Sequence, residues 1–312
     1  MDVALKVDVD THQGLGEGVP RLMRALTEVG ITATFFVAMG PDNSGRAIVR
    51  VLRNPGFLKK MRRTRAISMY GLRTILSGTL LPARPIALAF PEVMRALAHS
   101  AFEVGVHGYD HVLWQDRLDR IGDAGIRREI KEAFEAFRAV MGEQGRCFAA
   151  PGWRTSSVAL RVLDTIGLDY RSDTRGSTPY RCAIGGEIFA TPEIPTTLPT
   201  LDEVMGPELA DRGAIVRFYL DRISPQALNV HTIHAETEGM SQIETFVALV
   251  RALKERGARF VRLREAAATL DRTLLPVCEV VRTPLPGRAG WISAQGPAHA
   301  AAASSTAPSE GL

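Results

Sequence analysis

The stretch Val3-Ala4-Leu5-Lys6-Val7-Asp8-Val9-Asp10 decides the reading of the chain. Residues 3–9 are short, apolar and β-prone, and predict a strand. The run ends on two carboxylates separated by one residue. A glycine-rich turn follows from Gly14 to Gly18, and Val19–Val29 then shows helical periodicity closed by Gly30. Thr32–Val37 is a second β-rich run. Strand, helix and strand in this order form one β-α-β unit, which favours a parallel sheet.

The alternation continues outward. Pro91–Ser100 predicts a helix, and Phe102–Val106 a strand with His107 at its C-terminal end. Ile126–Met141 reads as an amphipathic helix. Cys147–Ala150 reads as a short strand stopped by Pro151-Gly152, and Ser156–Ile166 as a helix capped by Gly167. Leu168–Ser172, Glu187–Ala190, Leu228–Ile233 and Arg259–Val261 are further strands, with a helix at Gln242–Arg256. About seven β-α repeats predict an α/β fold, an irregular (β/α) barrel over residues 1–270. From about Thr283 onward Pro, Gly, Ala and Ser dominate, so 283–312 is expected to be a disordered tail, and Trp291 within it carries no role.

With 312 residues, 46% hydrophobic and 23% charged, the chain can bury a sizeable core. It shows no long uncharged apolar run and no secretory n- and h-region, so a cytosolic protein without a membrane span is expected. Cys147, Cys182 and Cys278 are odd in number and widely spaced, which argues against a disulfide framework or a zinc-finger array. Between Asp42 and Glu92 there is no acidic residue. That stretch carries Lys59, Lys60, Arg62, Arg63 and Arg65 among other basic residues, interleaved with Phe57, Leu58, Met61 and Ile67. It predicts a basic amphipathic insertion at about 44–85 suited to an anionic lipid surface. A solvated helix pair is the plain alternative, and nucleic acid is the disfavoured one.

The polar residues that follow strands carry the chemistry. They are Asp8 and Asp10, His107 and His111, Asp173, and His231 and His234. In a parallel barrel these strand ends share one face. His107 and His111 stand four apart, on one face if the segment is helical. With Asp10 they make two imidazoles and one carboxylate, a common set for a hydrolytic divalent ion such as Zn, Co or Mn. Asp8 would take a proton from water and His234 would protonate the leaving amine. The plain alternative for the two aspartates is a turn, but carboxylates this close are hard to keep together without a cation.

Val7-Asp8-Val9-Asp10 resembles the first motif of the polysaccharide deacetylases, the NodB homology or carbohydrate esterase 4 family. In that family the first Asp is the catalytic base and the second binds metal. His107-Gly108-Tyr109-Asp110-His111 is similar to the second motif, and Thr34-Phe35-Phe36-Val37 to the strand between them. The third motif departs, because the arginine of Ala149-Ala150-Pro151-Gly152-Trp153-Arg154 follows the proline. The resemblance implies Arg154 as partner of Asp8, a backbone N–H near Trp153 at the oxyanion, and Asp173 tuning that arginine. Thr232-Ile233-His234 is similar to the last motif. Glu236, Tyr109 and Trp153 are candidate substrate contacts, with a salt bridge or packing as their plain alternatives.

Pro41-Asp42-Asn43, Ala150-Pro151-Gly152-Trp153-Arg154, Ser172-Asp173-Thr174-Arg175-Gly176, Ile194-Pro195-Thr196-Thr197-Leu198-Pro199-Thr200 and Thr232-Ile233-His234-Ala235-Glu236 together resemble one subgroup of the family. Its members remove formate from 4-deoxy-4-formamido-L-arabinose carried on undecaprenyl phosphate. That resemblance implies a role in lipid A modification and polymyxin resistance. It also implies a lipid-linked sugar as substrate, and a place on the inner face of the inner membrane. Two other readings stay open: a deacetylase of another N-acyl sugar, and a non-catalytic envelope lipid-binding protein on a retained barrel.

Overall fold

The computed structural model describes residues 1–46, 77, 79, 82–206, 211–285 and 290–299. Most of the basic insertion expected at 44–85 lies outside the described residues, as do 300–312. In chain order the strands are β1 (Asp2–Val9), β2 (Thr34–Val37), β3 (Pro41–Asp42), β4 (Arg84–Pro85), β5 (Glu103–Val106), β6 (Cys147–Phe148), β7 (Tyr170–Arg171), β8 (Tyr180–Ile184), β9 (Glu187–Glu193), β10 (Asn229–His234), β11 (Arg259–Val261), β12 (Val277–Pro284) and β13 (Trp291–Ala298). The helices used below are α1 (Val19–Val29), α2 (His111–Arg117) and α3 (Arg212–Leu220).

Strands run parallel in the order β10-β1-β2-β5-β6-β7-β9, and β11 also pairs with β1. Beyond β9 the chain turns back toward β10. The N–H groups of Thr197 and Leu198 both donate to the Val230 carbonyl, at 3.0 and 3.2 Å, and the Val230 N–H donates to Thr197 Oγ1 at 2.9 Å. These bonds tie the segment after β9 to β10, within a mixed α/β fold built on a central parallel sheet.

Every residue of β1 from Val3 to Val9 is buried. Val3, Leu5, Val7 and Val9 pack with Leu22 and Leu26 of α1 in the outer core. Ala4 joins an inner cluster with Phe36, Tyr170 and Val230. Strand periodicity therefore puts Lys6 and Asp8 on the inner face with Ala4. Burying each large apolar side chain contributes roughly 1.5–3 kcal/mol. That is the driving force that fixes the register of β1, in which Asp8 stands opposite His234 on one side and Phe36 on the other.

Part of the segment expected to be a disordered tail from residue 283 belongs to the sheet. Residues 283–284 end β12 and 291–298 form β13, antiparallel to it, with β12 parallel to β8. Ser293 anchors the pair: its carbonyl accepts from Arg175 N–H at 3.0 Å and its hydroxyl accepts from Thr155 N–H at 3.1 Å. These residues obtain their partners from the sheet, so their Pro, Gly and Ala content does not keep them out of it.

The start of α1 is packed against the end of β10 with no room to spare. A Cβ built on Gly18 would lie 2.2 Å from the Ala235 carbonyl oxygen. Gly18→Ala is therefore expected to destabilise the fold by about 1–3 kcal/mol through forced backbone displacement. That loss exceeds the roughly 1 kcal/mol which alanine gains over glycine in a helix. Urea unfolding followed by circular dichroism measures it, and an unchanged midpoint would contradict this packing.

Candidate active site

Three strand ends converge. β1 delivers Asp8 and Asp10, β5 delivers His107, and β10 delivers His234. His107 Nε2 lies 3.3 Å from Asp10 Oδ1 and 3.9 Å from Asp8 Oδ2. His111 Nε2 lies 3.4 Å from Asp10 Oδ2, and the two imidazole centroids are 5.3 Å apart. One ligand atom from each of Asp10, His107 and His111 falls within 4.8 Å of the others. The two histidines do not share a helical face, as a spacing of four would give them if the whole segment were helical. His107 follows a strand, His111 opens α2, and a left-handed Gly108 with φ of 73° folds one onto the other. Asp110 holds that turn: its side chain accepts from Leu113 N–H at 3.0 Å and from Asn43 Nδ2 at 2.7 Å.

The donor chemistry fits a divalent ion. His107 Nδ1 is 2.8 Å from the Ala149 carbonyl, which can only accept, so Nδ1 carries a proton and Nε2 is the nitrogen turned toward Asp10, where its lone pair can serve an ion once Nε2 is deprotonated. Asp8 Oδ1 and Asp10 Oδ1 are buried with no hydrogen-bond donor among the described residues. Orphaned carboxylate oxygens beside a free imidazole nitrogen are what a cation would satisfy.

Burial pushes the Asp10 carboxyl up, but His111, His107 and His234 outweigh it and hold the group well below the usual carboxylate range. Burial holds His111 below the ordinary imidazole value despite Asp10. Burial also opposes charge on His234, yet Asp10, Asp202, Asp8 and Glu238 raise it to about 8. His231 differs: burial, then Arg175 and His234, lower it to about 3, and its ring packs on Tyr219 at 4.5 Å.

Several expected residues take other places. Arg154 does not reach Asp8 as its counter-ion. Its Nε donates to the Trp291 carbonyl at 3.0 Å and its guanidinium lies 4.8 Å from the Trp291 ring centroid. The cause is the turn before it, where Gly152 and Trp153 are both left-handed, with φ of 62° and 53°. This turn buries Trp153 and sends Arg154 toward β13. The cation found beside Asp8 is Lys6, with Nζ 3.5 Å from Asp8 Oδ2.

The Trp153 N–H, expected at the oxyanion, donates to the Ala150 carbonyl at 3.1 Å. Its indole donates to Thr196 Oγ1 at 3.0 Å, beneath the Arg175 guanidinium, so Trp153 is core rather than a sugar platform. Asp173 is buried and accepts from Ala150 N–H at 2.9 Å. Burial, then the neighbouring Glu193, push its carboxyl well up. Glu236 Oε1 accepts from the N–H groups of Asp10 and Thr11 and from Thr11 Oγ1, at 2.9, 2.8 and 2.9 Å, so it braces the turn that carries Asp10. A Cβ on Gly14 would lie 1.9 Å from that oxygen, so this bracing requires glycine there. Tyr109 is half-buried, and its carbonyl accepts from Gly40 N–H at 3.0 Å.

A family model for polysaccharide deacetylase matches residues 2–171. Fold and site together are those of a hydrolase acting on amide C–N bonds. The chain belongs to the polysaccharide deacetylase family. A relative from Shewanella sediminis is 36% identical over 293 residues, spanning 94% of each chain. One from Wigglesworthia glossinidia brevipalpis is 33% identical over 280 residues, spanning 89% of this chain and 96% of its own. Both carry the name "Probable 4-deoxy-4-formamido-L-arabinose-phosphoundecaprenol deformylase ArnD". Among solved structures, a polysaccharide deacetylase of Mycobacterium smegmatis shares the fold with a TM-score of 0.61 at 19% identity, covering 91% of this chain and 95% of its own.

The charges at the site predict a pH dependence. In the metal-free protein His234 and Glu236 are raised to about 8, and Glu129 and Glu238 to about 7. Each group holds its proton longer folded than unfolded, so stability falls as pH rises through these values. The lowered His111 and His231 act only below about pH 6.5, the ordinary imidazole value. The Tm of chelator-treated protein is expected to drop between pH 7 and 8.5, and added zinc to raise it most at the alkaline end. A Tm that rises with pH over this window without metal would contradict the assignment.

Proposed function

We propose that this chain is a divalent-metal-dependent deformylase that removes the formyl group from 4-deoxy-4-formamido-L-arabinose carried on undecaprenyl phosphate. The observation that carries the reading is the convergence of Asp10, His107 and His111, with Asp8 buried beside them. The near full-length similarity to two relatives named for that reaction supports the choice of substrate.

Asp10, His107 and His111 would hold the ion, with Zn, Co and Mn all suited to the donor set. When bound there, a divalent ion supplies Lewis acidity to an acyl oxygen and to water. Asp8, through its unpartnered Oδ1, takes the proton from the attacking water. The water oxygen bonds to the formyl carbon, and the C–N bond then breaks. His234, whose charged form Asp10, Asp202, Asp8 and Glu238 favour, gives its proton to the leaving nitrogen, which departs as an amine with formate as co-product. Asp173 and Glu236 position the loops on which this chemistry depends, Asp173 through Ala150 and Glu236 through Asp10.

No helix among the described residues is long and apolar enough to cross a membrane. A substrate with a polyprenyl tail places the enzyme peripherally on the cytoplasmic face of the inner membrane, where the basic segment at 44–85 meets anionic lipid. Lipid A modification and polymyxin resistance follow from this substrate.

Formate release from the lipid-linked formamido-sugar, presented in detergent or liposomes to protein loaded with Zn, Co or Mn, tests the reading. Formate equal to the free amine formed is expected. No formate, under conditions where the Shewanella sediminis relative turns over, would contradict it. Asp8→Asn is expected to keep its metal while kcat falls by about 10²–10⁴-fold, the range for losing a general base. Full activity in that variant would remove Asp8 from the role of base.

A further inference from the structure

A lysine is buried in the interior of the fold. Lys6 lies on the inner face of β1, and its side chain is fully excluded from solvent. An ammonium group in such a place is costly unless paired and hydrogen-bonded. Its Nζ lies 3.5 Å from Asp8 Oδ2 and donates to the Ser172 carbonyl at 3.2 Å. The rings of Phe36 and Trp153 flank it, with centroids 5.6 and 5.4 Å from Nζ. Other buried or half-buried arginines nearby are engaged elsewhere. Arg154 meets Trp291, Arg171 donates to the Leu160 and Thr191 carbonyls, and Arg175 pairs with Glu203.

We propose that Lys6 is the positioning residue of the base: its ammonium grips Asp8 by Oδ2 and thereby presents Oδ1 to the reacting water. The inference rests on the reading of Asp8 as base given above. Residues two apart on a strand point to the same face, so base and counter-ion come from one rigid element. Oδ2 faces both Lys6 and His107, whereas Oδ1 has no donor among the described residues, which is the asymmetry this role requires. The third motif is thereby relieved of supplying a cation, and this accounts for an Arg154 that can turn away toward β13. Trp153, whose left-handed backbone buries its indole, closes one side of the Lys6 pocket.

The test uses the full chain loaded with zinc, and three variants: Lys6→Met, Lys6→Gln and Lys6→Arg. Zinc content, melting curves, and kcat and KM are measured. Rates are read on the lipid-linked formamido-sugar and on p-nitrophenyl acetate, whose hydrolysis needs the same activated water. Both uncharged variants are expected to bind about one zinc per chain and to keep KM within about threefold, while kcat falls by about 100-fold or more. Lys6→Arg, which restores the charge, is expected to recover kcat to within about tenfold of wild type. A purely structural role would lower melting temperature and zinc content but leave kcat per zinc-loaded folded chain unchanged.

A kcat within about twofold of wild type in a folded, zinc-loaded Met variant overturns the proposal. So does failure of both uncharged variants to fold, which would assign Lys6 to stability. Wild-type protein that hydrolyses the ester but not the sugar lipid defeats the substrate reading instead, and the Lys6 comparison then stands on the ester alone.

Discussion

Negative charge held out of water is the constraint from which the rest of this structure follows. Asp8 is 4% exposed, and Asp10 lies two residues further, just past the same strand end. Carboxylates in such a place persist only if cations or donors surround them. Each neighbouring element supplies one. The inner face of β1 brings Lys6, the turn after β5 brings His107 and His111, and β10 brings His234. The sheet topology makes this possible, since parallel register sets Asp8 beside His234 and puts the end of β5 one strand beyond β2.

A second layer of buried carboxylates holds the strand ends themselves. Glu236 accepts from the N–H groups of Asp10 and Thr11, Glu129 from Asp110, Glu238 from His234, Asp173 from Ala150, and Glu193 from Asp173 and Thr174. Backbone beyond a strand end has lost its ladder partners and must find others. Here a carboxylate supplies the acceptor at each loop that carries a site residue. Burial raises every one of these acids above its ordinary value. The site is thus stiff where it must be, with side chains oriented by hydrogen bonds to the backbone that bears them.

Much of this was legible in the sequence. The β-α-β pattern over residues 3–37 and the helix closed by Gly30 appear as read, because a fully buried strand and an amphipathic helix with a left-handed cap leave strong local signals. The grouping of Asp8, Asp10, His107, His111 and His234 at strand ends was legible as well, because polar residues that end apolar runs stand out. Lys6 was not. One lysine in a strand looks like a solvent-facing residue, and only the packing of the sheet shows that its face is buried. Arg154 was misplaced for a related reason. The left-handed turn at Gly152 and Trp153 reverses the direction of the next side chain, and no composition rule records a positive φ at tryptophan. The hairpin of β12 and β13 was hidden by its Gly, Pro and Ala content, and α3, Arg-Gly-Ala-Ile-Val-Arg-Phe-Tyr-Leu, by its weak apolar stripe.

Family membership and geometry meet at one point, the three side chains that would share an ion. Diffraction from crystals of the zinc-loaded protein, with anomalous data at the zinc edge, measures that point directly. The account predicts one ion bonded to His107 Nε2, His111 Nε2 and an Asp10 oxygen at about 2.0–2.2 Å, with Asp8 next to it but outside bonding distance. An ion bound elsewhere, or one that leaves out either imidazole, would contradict it.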